Sequence, residues 1–348
     1  MVERNKPKRL LLRQLVMRRV LLALLPCAVG AIYYFGWRSL GLIIWAGAVG
    51  FVAEYIFARF RGEPVSEAVF VTTTIFALIM PPTVPWHVLT IGIVFAVVMT
   101  KQVFGGFGRN FFNPAMAGRC FVYICFPVAL TAAWAPAAHG PWGALGRWTT
   151  APTVDATTGA TPMTYLKMGK ITLVSEDEAV SRVPFDIPED TAVAVDRAAF
   201  WRFLLFGGIS GTMGVTSAVL ILIGGVYLFY TGTASRTIIL TLIVTYTVLT
   251  QLLYWAGVEP VSSAVTAVLG RGFLFGAFFM ATDPVSAPKT EAGKVLYAML
   301  IGICTVVIAN FSIFNGGLMF SILIGNMFGP ILDYAVRSRG APRPREAT

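Results

Sequence analysis

The feature that most constrains this chain is a series of apolar runs, each roughly twenty residues long, separated by polar loops. Of the 348 residues, 56% are hydrophobic and only 13% are charged, whereas a soluble domain carries about 25% charged residues. A helix of about twenty apolar residues spans the hydrocarbon core of a bilayer. The sequence therefore predicts an all-α polytopic membrane protein embedded in the lipid bilayer.

The apolar runs number about ten and fall into two sets of five. The first set lies at 19–36, 38–59, 66–80, 85–101 and 113–133. The second set lies at 213–230, 236–256, 265–280, 293–310 and 316–336. The sequence is accordingly divided into a basic N-terminus (1–18), a first five-helix repeat (19–133), a middle segment (134–203), a second five-helix repeat (204–336) and a basic tail (337–348).

The orientation follows from the basic residues, because Lys and Arg in short loops favour the cytoplasmic side of a membrane. The net charge is +10, and basic residues are concentrated at both ends of the chain. With a cytoplasmic N-terminus, ten spans return the C-terminus to the cytoplasm and leave the middle segment outside. That segment has six Lys or Arg against eight Asp or Glu.

Two classes of partner are not expected from the composition. The basic ends lack the interleaved aromatic residues that stack on bases, which argues against a nucleic-acid partner. The four cysteines all lie within apolar runs, and with only two histidines in the chain they form no pattern typical of a metal site. The sequence therefore predicts no metal ligands.

Two similar segments indicate an internal duplication. FALIMPPTVP at 76–85 resembles FMATDPVSAP at 279–288, and in each half a proline of this segment precedes an asparagine by 31 residues, at Asn113 and at Asn315. Because five spans per half is an odd number, the second half would be inserted upside down. Inverted repeats usually place their functional site near the membrane midplane, at interrupted helices. The competing explanation is that Pro and Gly recur in any polytopic protein.

The segment GGFGRNFFNPAM at 105–116 lies between two predicted spans. Glycines let the backbone approach a ligand closely, and Asn-Pro is a helix-start signal that leaves free N–H groups pointing at it. The spacing is not that of a nucleotide-binding fingerprint. From the residues alone, a ligand site and a packing turn are both open.

Two charged residues lie in apolar surroundings. Asp283, in ATDPVSAP, either caps a helix at the membrane interface or contacts an ion or a cofactor. Arg271, in LGRGFLFGAFF, either faces a partner or a cavity, or extends its long side chain to the interface. The residue pattern favours the capping interpretation for Asp283 and favours neither alternative for Arg271.

The segment DATTGAT at 155–161 is the most distinctive polar motif. It has no Ser/His/Asp arrangement and no base beside a nucleophile, so hydrolysis is not expected. Together with GGFGRNFFNPAM and FMATDPVSA, it resembles the NqrB/RnfD family, the membrane subunits of the sodium-pumping NADH:quinone reductase and of the Rnf ferredoxin:NAD oxidoreductase. The resemblance extends from about residue 20 to 336, with the three motifs in the same order.

The resemblance implies a covalent flavin. In this family a flavin transferase, acting outside the cytoplasmic membrane, joins FMN through its phosphate to the last hydroxyl of a D-x-[ST]-[ST]-G-A-[ST] sequence. The acceptor would then be Thr161, and the attachment motif would include Asp155, Thr158, Gly159 and Ala160. The chemistry would belong to the flavin, which agrees with the lack of catalytic side chains in the motif.

The resemblance also implies ten helices in two inverted halves, similar to urea transporters, and a second, non-covalent flavin such as riboflavin among the helices. The candidate contacts of that flavin are Gly105, Gly106, Asn110, Asn113 and Pro114. The chain departs from the family pattern at Gln102 and Val215, where relatives carry an acid, and at Arg271, where they tend to carry a neutral residue. The coupled ion, Na⁺ or H⁺, therefore stays open.

The expected function is that of a membrane electron-transfer subunit of an ion-translocating oxidoreductase complex in the bacterial cytoplasmic membrane. Other subunits and the flavin transferase are the expected partners. The chain is not expected to be an enzyme alone, since no pyridine-nucleotide or ferredoxin site is visible. The short N-terminus favours Rnf-type membership, whereas FALIMPPT and GRNFFNPA are more similar to NqrB. A solute channel or transporter on the same scaffold is the alternative, although it would have no use for DATTGAT.

Overall fold

A computed structural model of the chain describes residues 10–131, 134–138, 140, 142–149, 161–174, 193–312, 314 and 316–340. Within these residues the protein is mostly helical, with two short parallel strand pairs. Five of the described helices are long and apolar enough to cross a membrane, by length and composition: Leu15–Phe35, Trp37–Arg61, Arg236–Trp255, Glu291–Phe311 and Gly317–Ser338. Several shorter apolar helices accompany them, as expected for a polytopic membrane protein.

The elements fall into three groups along the chain. The first group contains β1 (Leu11–Leu12), α1 (Leu15–Phe35), α2 (Trp37–Arg61), β2 (Val65–Ser66), α3 (Ala68–Leu78), α4 (Trp86–Val97), a π-helical turn (Val98–Gln102), α5 (Pro114–Cys125) and α6 (Pro127–Thr131). The middle group contains α7 (Pro162–Lys167), β3 (Ile171–Val174), β4 (Val193–Asp196) and α8 (Arg197–Phe206). The last group contains α9 (Ala218–Tyr230), α10 (Arg236–Trp255), α11 (Ala264–Leu269), α12 (Phe273–Phe279), α13 (Glu291–Phe311) and α14 (Gly317–Gly340).

Local sequence explains where several of these helices begin and end. Gly36, at a φ of 86°, separates α1 from α2, and Gly62, at a φ of 69°, ends α2 in the left-handed conformation that glycine adopts without a steric penalty. Asn113 caps α5 through its side chain, and Pro114 occupies the first helical position. These signals let long apolar helices follow one another with short connections.

Small residues let the helices approach closely. A Cβ atom on Gly224 of α9 would lie 1.9 Å from the carbonyl oxygen of Ala23 in α1, so the two helix backbones are in direct contact there. A Cβ on Gly30 of α1 would in turn lie 2.3 Å from Cδ1 of Leu220 in α9. Small residues at crossings are typical of membrane helices, whose association depends on close packing rather than on the hydrophobic effect.

The described middle group packs on one end of the bundle, where α1 and α13 finish. The backbone N–H of Ala144 donates to the carbonyl of Tyr33 over 2.7 Å, and Lys167 Nζ donates to the carbonyl of Ala309 over 2.8 Å. We call this the α7 end. The opposite end, where β1 pairs with β2 before α1 begins, is the β1–β2 end.

Each apolar run predicted from the sequence contains one or two of the described helices. The run at 265–280 differs from a single span, because it is broken between α11 and α12 at Arg271 and Gly272, both with positive φ. The strand pairs are additions to the predicted all-α architecture. Of these, β3 and β4 bring the two described parts of the middle segment together, with Ile171 paired to Val193.

Candidate functional sites

Thr161 is the residue of the attachment motif that the structure describes; Asp155, Thr158, Gly159 and Ala160 lie outside the described residues. Thr161 is partly exposed and caps α7. Its Oγ1 accepts from the backbone N–H of Thr164 over 3.3 Å and shares a 2.8 Å hydrogen bond with the Thr164 hydroxyl. Pro162 follows at the first helical position, so the acceptor hydroxyl lies at a defined helix start.

Helix α7 is held against the bundle by two side chains one helical turn apart. A Cβ on Gly270 would lie 2.8 Å from Sδ of Met163, which places that side chain directly on the glycine after α11. Lys167 Nζ donates to the carbonyls of Ala309 and Ser312, at the end of α13. The helix that Thr161 caps is thereby held beside the break between α11 and α12.

Arg271 occupies that break. Its φ of 53° is uncommon for a residue with a side chain, and its Nη1 donates to Oδ1 of Asn310 over 2.9 Å. Nε and Nη2 are buried and have no hydrogen-bond partner among the described residues. Since two of its nitrogens are buried rather than at the interface, the structure favours the cavity or partner interpretation of Arg271.

The electrostatics of the α7 end are set by two neighbouring cations. Burial and the positive charge of Arg271 lower the pKa of the Lys167 ammonium. Unsatisfied charged donors in the interior are costly, and the Nε and Nη2 N–H groups of a guanidinium form a fork that matches two adjacent acceptors. The residues at this end therefore fit a negatively charged cofactor such as a phosphoflavin.

A second candidate site is a cleft toward the β1–β2 end. It is lined by Asn110, Asn113 and Pro114 from the first predicted motif and by residues 282–285 from the second, so the two segments are brought together. Gly105 and Gly106 do not line the cleft. Their positive φ values allow the Arg109 and Arg61 side chains to lie where a Cβ would project.

Asn113 is fully engaged by the protein itself. Its Oδ1 accepts from the backbone N–H groups of Ala115 and Met116, over 3.1 and 3.3 Å. Its Nδ2 donates to the carbonyl of Met280 over 3.2 Å, and its backbone N–H donates to Oδ1 of Asn326 over 3.0 Å. Asn113 therefore joins α5 to the end of α12 and to α14, which favours the packing interpretation for this side chain.

Asp283 contributes to a turn and also lines the cleft. Its carboxylate accepts from the backbone N–H of Val285 over 3.2 Å and from Oγ of Ser286 over 2.9 Å. The carboxylate therefore stabilises a local turn and caps no described helix, because α13 begins eight residues later with Thr290 as its cap. No group of three or more His, Cys, Asp or Glu residues that could hold a metal ion occurs in the part of the chain that the structure describes.

A buried ion pair beside this cleft was not predicted from the sequence. Lys101 Nζ lies 2.7 Å from Oε2 of Glu54 and 2.8 Å from Oγ of Ser66, and Oε1 of Glu54 accepts from both the N–H and the hydroxyl of Ser66. The two charged side chains are 3% and 4% exposed. Lys101 belongs to the π-helical turn, a feature frequent at functional sites. The sequence signal that could have indicated this pair is that Glu54 and Lys101 are ionisable residues inside apolar runs.

Residues 12–341 match the family model described as the NQR2, RnfD, RnfE family. The chain belongs to this family. The resemblance inferred from the three sequence motifs is therefore confirmed over nearly the whole chain.

Curated relatives include NqrB and RnfD proteins. The chain is 36% identical over 314 residues to the NqrB protein of the Na(+)-translocating NADH-quinone reductase of Klebsiella pneumoniae, covering 88% of the chain and 67% of the relative. It is 35% identical over 302 residues to the NqrB protein of Pseudoalteromonas atlantica, covering 85% of the chain and 66% of the relative. The chain is 33% identical over 338 residues to the RnfD protein of the ion-translocating oxidoreductase complex of Alcanivorax borkumensis, covering 93% of the chain and 91% of the relative.

These relatives agree with the fold. The chain spans about two thirds of the length of the NqrB relatives and most of the length of the RnfD relative. Its several apolar helices and its membership of the NQR2, RnfD, RnfE family together identify it as a multi-pass membrane protein related to subunits of ion-translocating complexes.

Proposed function

We propose that this chain is the membrane electron-transfer subunit of an ion-translocating oxidoreductase complex of Rnf or Nqr type. It works together with other subunits, and it couples electron passage across the membrane to transport of Na⁺ or H⁺. The names of the relatives support this role.

The observation that carries the proposal is the position of Thr161, a partly exposed hydroxyl that caps a helix packed on Gly270, the residue before Arg271, whose buried Nε and Nη2 have no partner among the described residues. We assign to Thr161 a phosphoester bond to FMN, made by a flavin transferase. When bound, the flavin supplies the electron chemistry. The chain positions it: Pro162 starts the helix, and Met163 and Lys167 hold that helix on the bundle.

The proposed architecture has ten membrane helices in two inverted repeats, similar to urea transporters. Two features of the packing support it. In the first half, α2 contacts both α3 and α4, and α4 contacts α5. In the second half, α10 contacts both α11 and α13, and α13 contacts α14. Moreover, α1 runs toward the α7 end, whereas α9 begins there, next to the Ser217 hydroxyl bonded to the Leu205 carbonyl.

The proposed location is the bacterial cytoplasmic membrane, with both termini cytoplasmic and the middle segment outside. The described packing supports this assignment, since α1 begins and α14 finishes away from the α7 end. Near the end of α14, Asp333 accepts from the backbone N–H groups of Lys289 and Thr290, just before α13 begins. Arg61, the last residue of α2, and Lys101, in the π-helical turn beside Ser66 of β2, lie at the same β1–β2 end.

A second, non-covalent flavin such as riboflavin is proposed for the cleft at the β1–β2 end. Asn110, Asn113 and Pro114 line that cleft, which supports them as neighbours of the flavin. Gly105 and Gly106 take an indirect part, by allowing the tight turn that precedes Asn110.

The covalent flavin is tested by in-gel flavin fluorescence of the denatured chain, produced together with a flavin transferase, and by peptide mass mapping. Thr161→Ala should abolish the fluorescence, and Thr161→Ser should retain part of it, because a phosphoester needs the hydroxyl. Thr164→Ala is the matched control: it removes the neighbouring hydroxyl bonded to Thr161 and should keep the flavin.

Two outcomes would contradict the assignment. Full fluorescence in Thr161→Ala would show that the acceptor lies elsewhere, and the mass map would locate it. A wild-type chain without covalent flavin, despite an active transferase, would contradict the flavoprotein role and leave the solute channel as the better explanation.

A further inference from the structure

The break between α11 and α12 places a charged side chain in a strained backbone. Arg271 has a φ of 53°, and Gly272 follows at 69° with Val215 packed against it. Left-handed backbone at a residue other than glycine costs about 1–3 kcal/mol and persists where the surroundings impose it. The conformation directs the guanidinium into the interior, next to Asn310 of α13.

One edge of this guanidinium is available for a ligand. Nη1 is bonded to Asn310, whereas Nε and Nη2 have no partner within the described residues. These two nitrogens form a single edge, with two parallel N–H groups suited to a pair of adjacent acceptor atoms. Leaving charged donors buried and unpaired is unfavourable, so the edge is organised for a group that the protein chain itself does not supply there.

The edge lies close to the proposed attachment point. Helix α7 has six residues and is therefore about 9 Å long. Met163, near its start, contacts the glycine that precedes Arg271, and Lys167, at its end, binds the carbonyls of Ala309 and Ser312 on either side of Asn310. Both ends of the helix that starts at Thr161 thus contact direct neighbours of Arg271.

The nearby Lys167 ammonium does not compete with Arg271 for an anionic ligand. Lys167 Nζ is engaged by two backbone carbonyls, which fix it as an anchor of α7. Nε and Nη2 of Arg271, in contrast, are charged, buried donors that have no partner among the described residues.

We propose that the Nε–Nη2 edge of Arg271 binds an anionic group with two adjacent acceptors on the flavin carried by Thr161. This inference rests on the proposed function. Two parts of the cofactor have that chemistry: the phosphodiester, with its two free oxygens, and the N1–C2 carbonyl edge of the ring. The ring gains one net negative charge when two-electron reduction is accompanied by uptake of one proton.

The test uses the full chain, flavinylated and reconstituted in lipid nanodiscs, with Arg271→Gln, Arg271→Lys and Lys170→Gln. Lys170→Gln is the control because it removes one positive charge from the same segment, where Lys170 faces the Tyr165 ring. Covalent loading is measured by in-gel fluorescence. The two-electron midpoint potential is measured by spectroelectrochemical titration, and immobilisation of the flavin by fluorescence anisotropy.

If the ring is the ligand, Arg271→Gln should lower the equilibrium constant for two-electron reduction at least tenfold, a midpoint about 30 mV more negative. Lys170→Gln should change it less than threefold. If the phosphodiester is the ligand, Arg271→Gln should leave that constant within threefold and lower the anisotropy, with partial recovery in Arg271→Lys.

Unchanged potential and anisotropy in a fully loaded Arg271→Gln would overturn the inference, as would equal shifts in Arg271→Gln and Lys170→Gln. If Arg271→Gln fails to insert or to load, Arg271→Lys decides, since it keeps the charge but loses the fork: wild-type values of both quantities would overturn the proposal. A wild-type chain without flavin on Thr161 would instead contradict the proposed function.

Discussion

Replacing Glu54 with Gln is expected to destabilise the protein by about 3–5 kcal/mol, because the substitution leaves the Lys101 ammonium buried without its counter-charge. The two side chains are 4% and 3% exposed, with Nζ 2.7 Å from Oε2. At that separation and an effective dielectric constant of about 20, their attraction is on the order of 6 kcal/mol. Lys101→Met should have a similar cost, since it strands the Glu54 carboxylate with Ser66 as its described partner.

The double variant Glu54→Gln/Lys101→Met separates the pair energy from the cost of burying each charge. It removes both charges at once. Its loss in free energy of unfolding should therefore be smaller than the sum of the losses in the two single variants, and no larger than the loss in either one. The measurement is the free energy of unfolding in mixed micelles, followed by tryptophan fluorescence during titration with a denaturing detergent.

A matched control is the exposed pair at the start of α13, where Lys294 Nζ lies 2.6 Å from Oε1 of Glu291. Although the distance is as short, Glu291→Gln should have a far smaller effect, because water screens an exposed pair. The reasoning is refuted if the two single substitutions at Glu54 and Lys101 add without coupling, or if Glu54→Gln costs no more than Glu291→Gln.

Two further predictions concern the cleft and the topology. Asn113→Leu removes the α5 cap and the hydrogen bond to the Met280 carbonyl. We therefore expect the free energy of unfolding to fall by about 2–3 kcal/mol. We also expect the amount of non-covalent flavin to fall while the covalent flavin is retained. Equal loss of both flavins would indicate misfolding, and retention of both would leave Asn113 a packing residue. A reporter fused at residue 348 should be active only if it works in the cytoplasm, and activity restricted to an exported reporter would refute the proposed orientation.

The helices were largely predictable because their cause is local. Apolar runs of span length form helices whatever their neighbours, and signals such as the Asn113 cap with Pro114 mark their starts. The break at Arg271 was missed for the opposite reason: the run 265–280 is continuously apolar around one cation. The break brings Arg271 next to Asn310 and Gly272 next to Val215, and both of these contacts are with residues that lie far away in the sequence.

The candidate site residues could be named from the sequence, whereas several of the contacts between them could not. Thr161 followed from a contiguous motif, whereas its neighbour Arg271 lies 110 residues later and was noted only as an unusual charge. Glu54 and Lys101 likewise lie in different runs, 47 residues apart. Contacts between residues that are distant in the sequence depend on how the helices cross, and local sequence patterns do not show how they cross.

Helix α12 connects the two proposed flavin sites in a way that bears on how they work together. Arg271 lies two residues before it, and Met280, whose carbonyl accepts from Asn113, follows it directly. Its seven residues are all buried and span only about 10 Å. A shift of α12 along its axis would therefore move both sites together. For this reason Asn113→Leu, which should retain the covalent flavin, should still change the surroundings of that flavin, and a substitution at Arg271 should change the surroundings of the cleft as well.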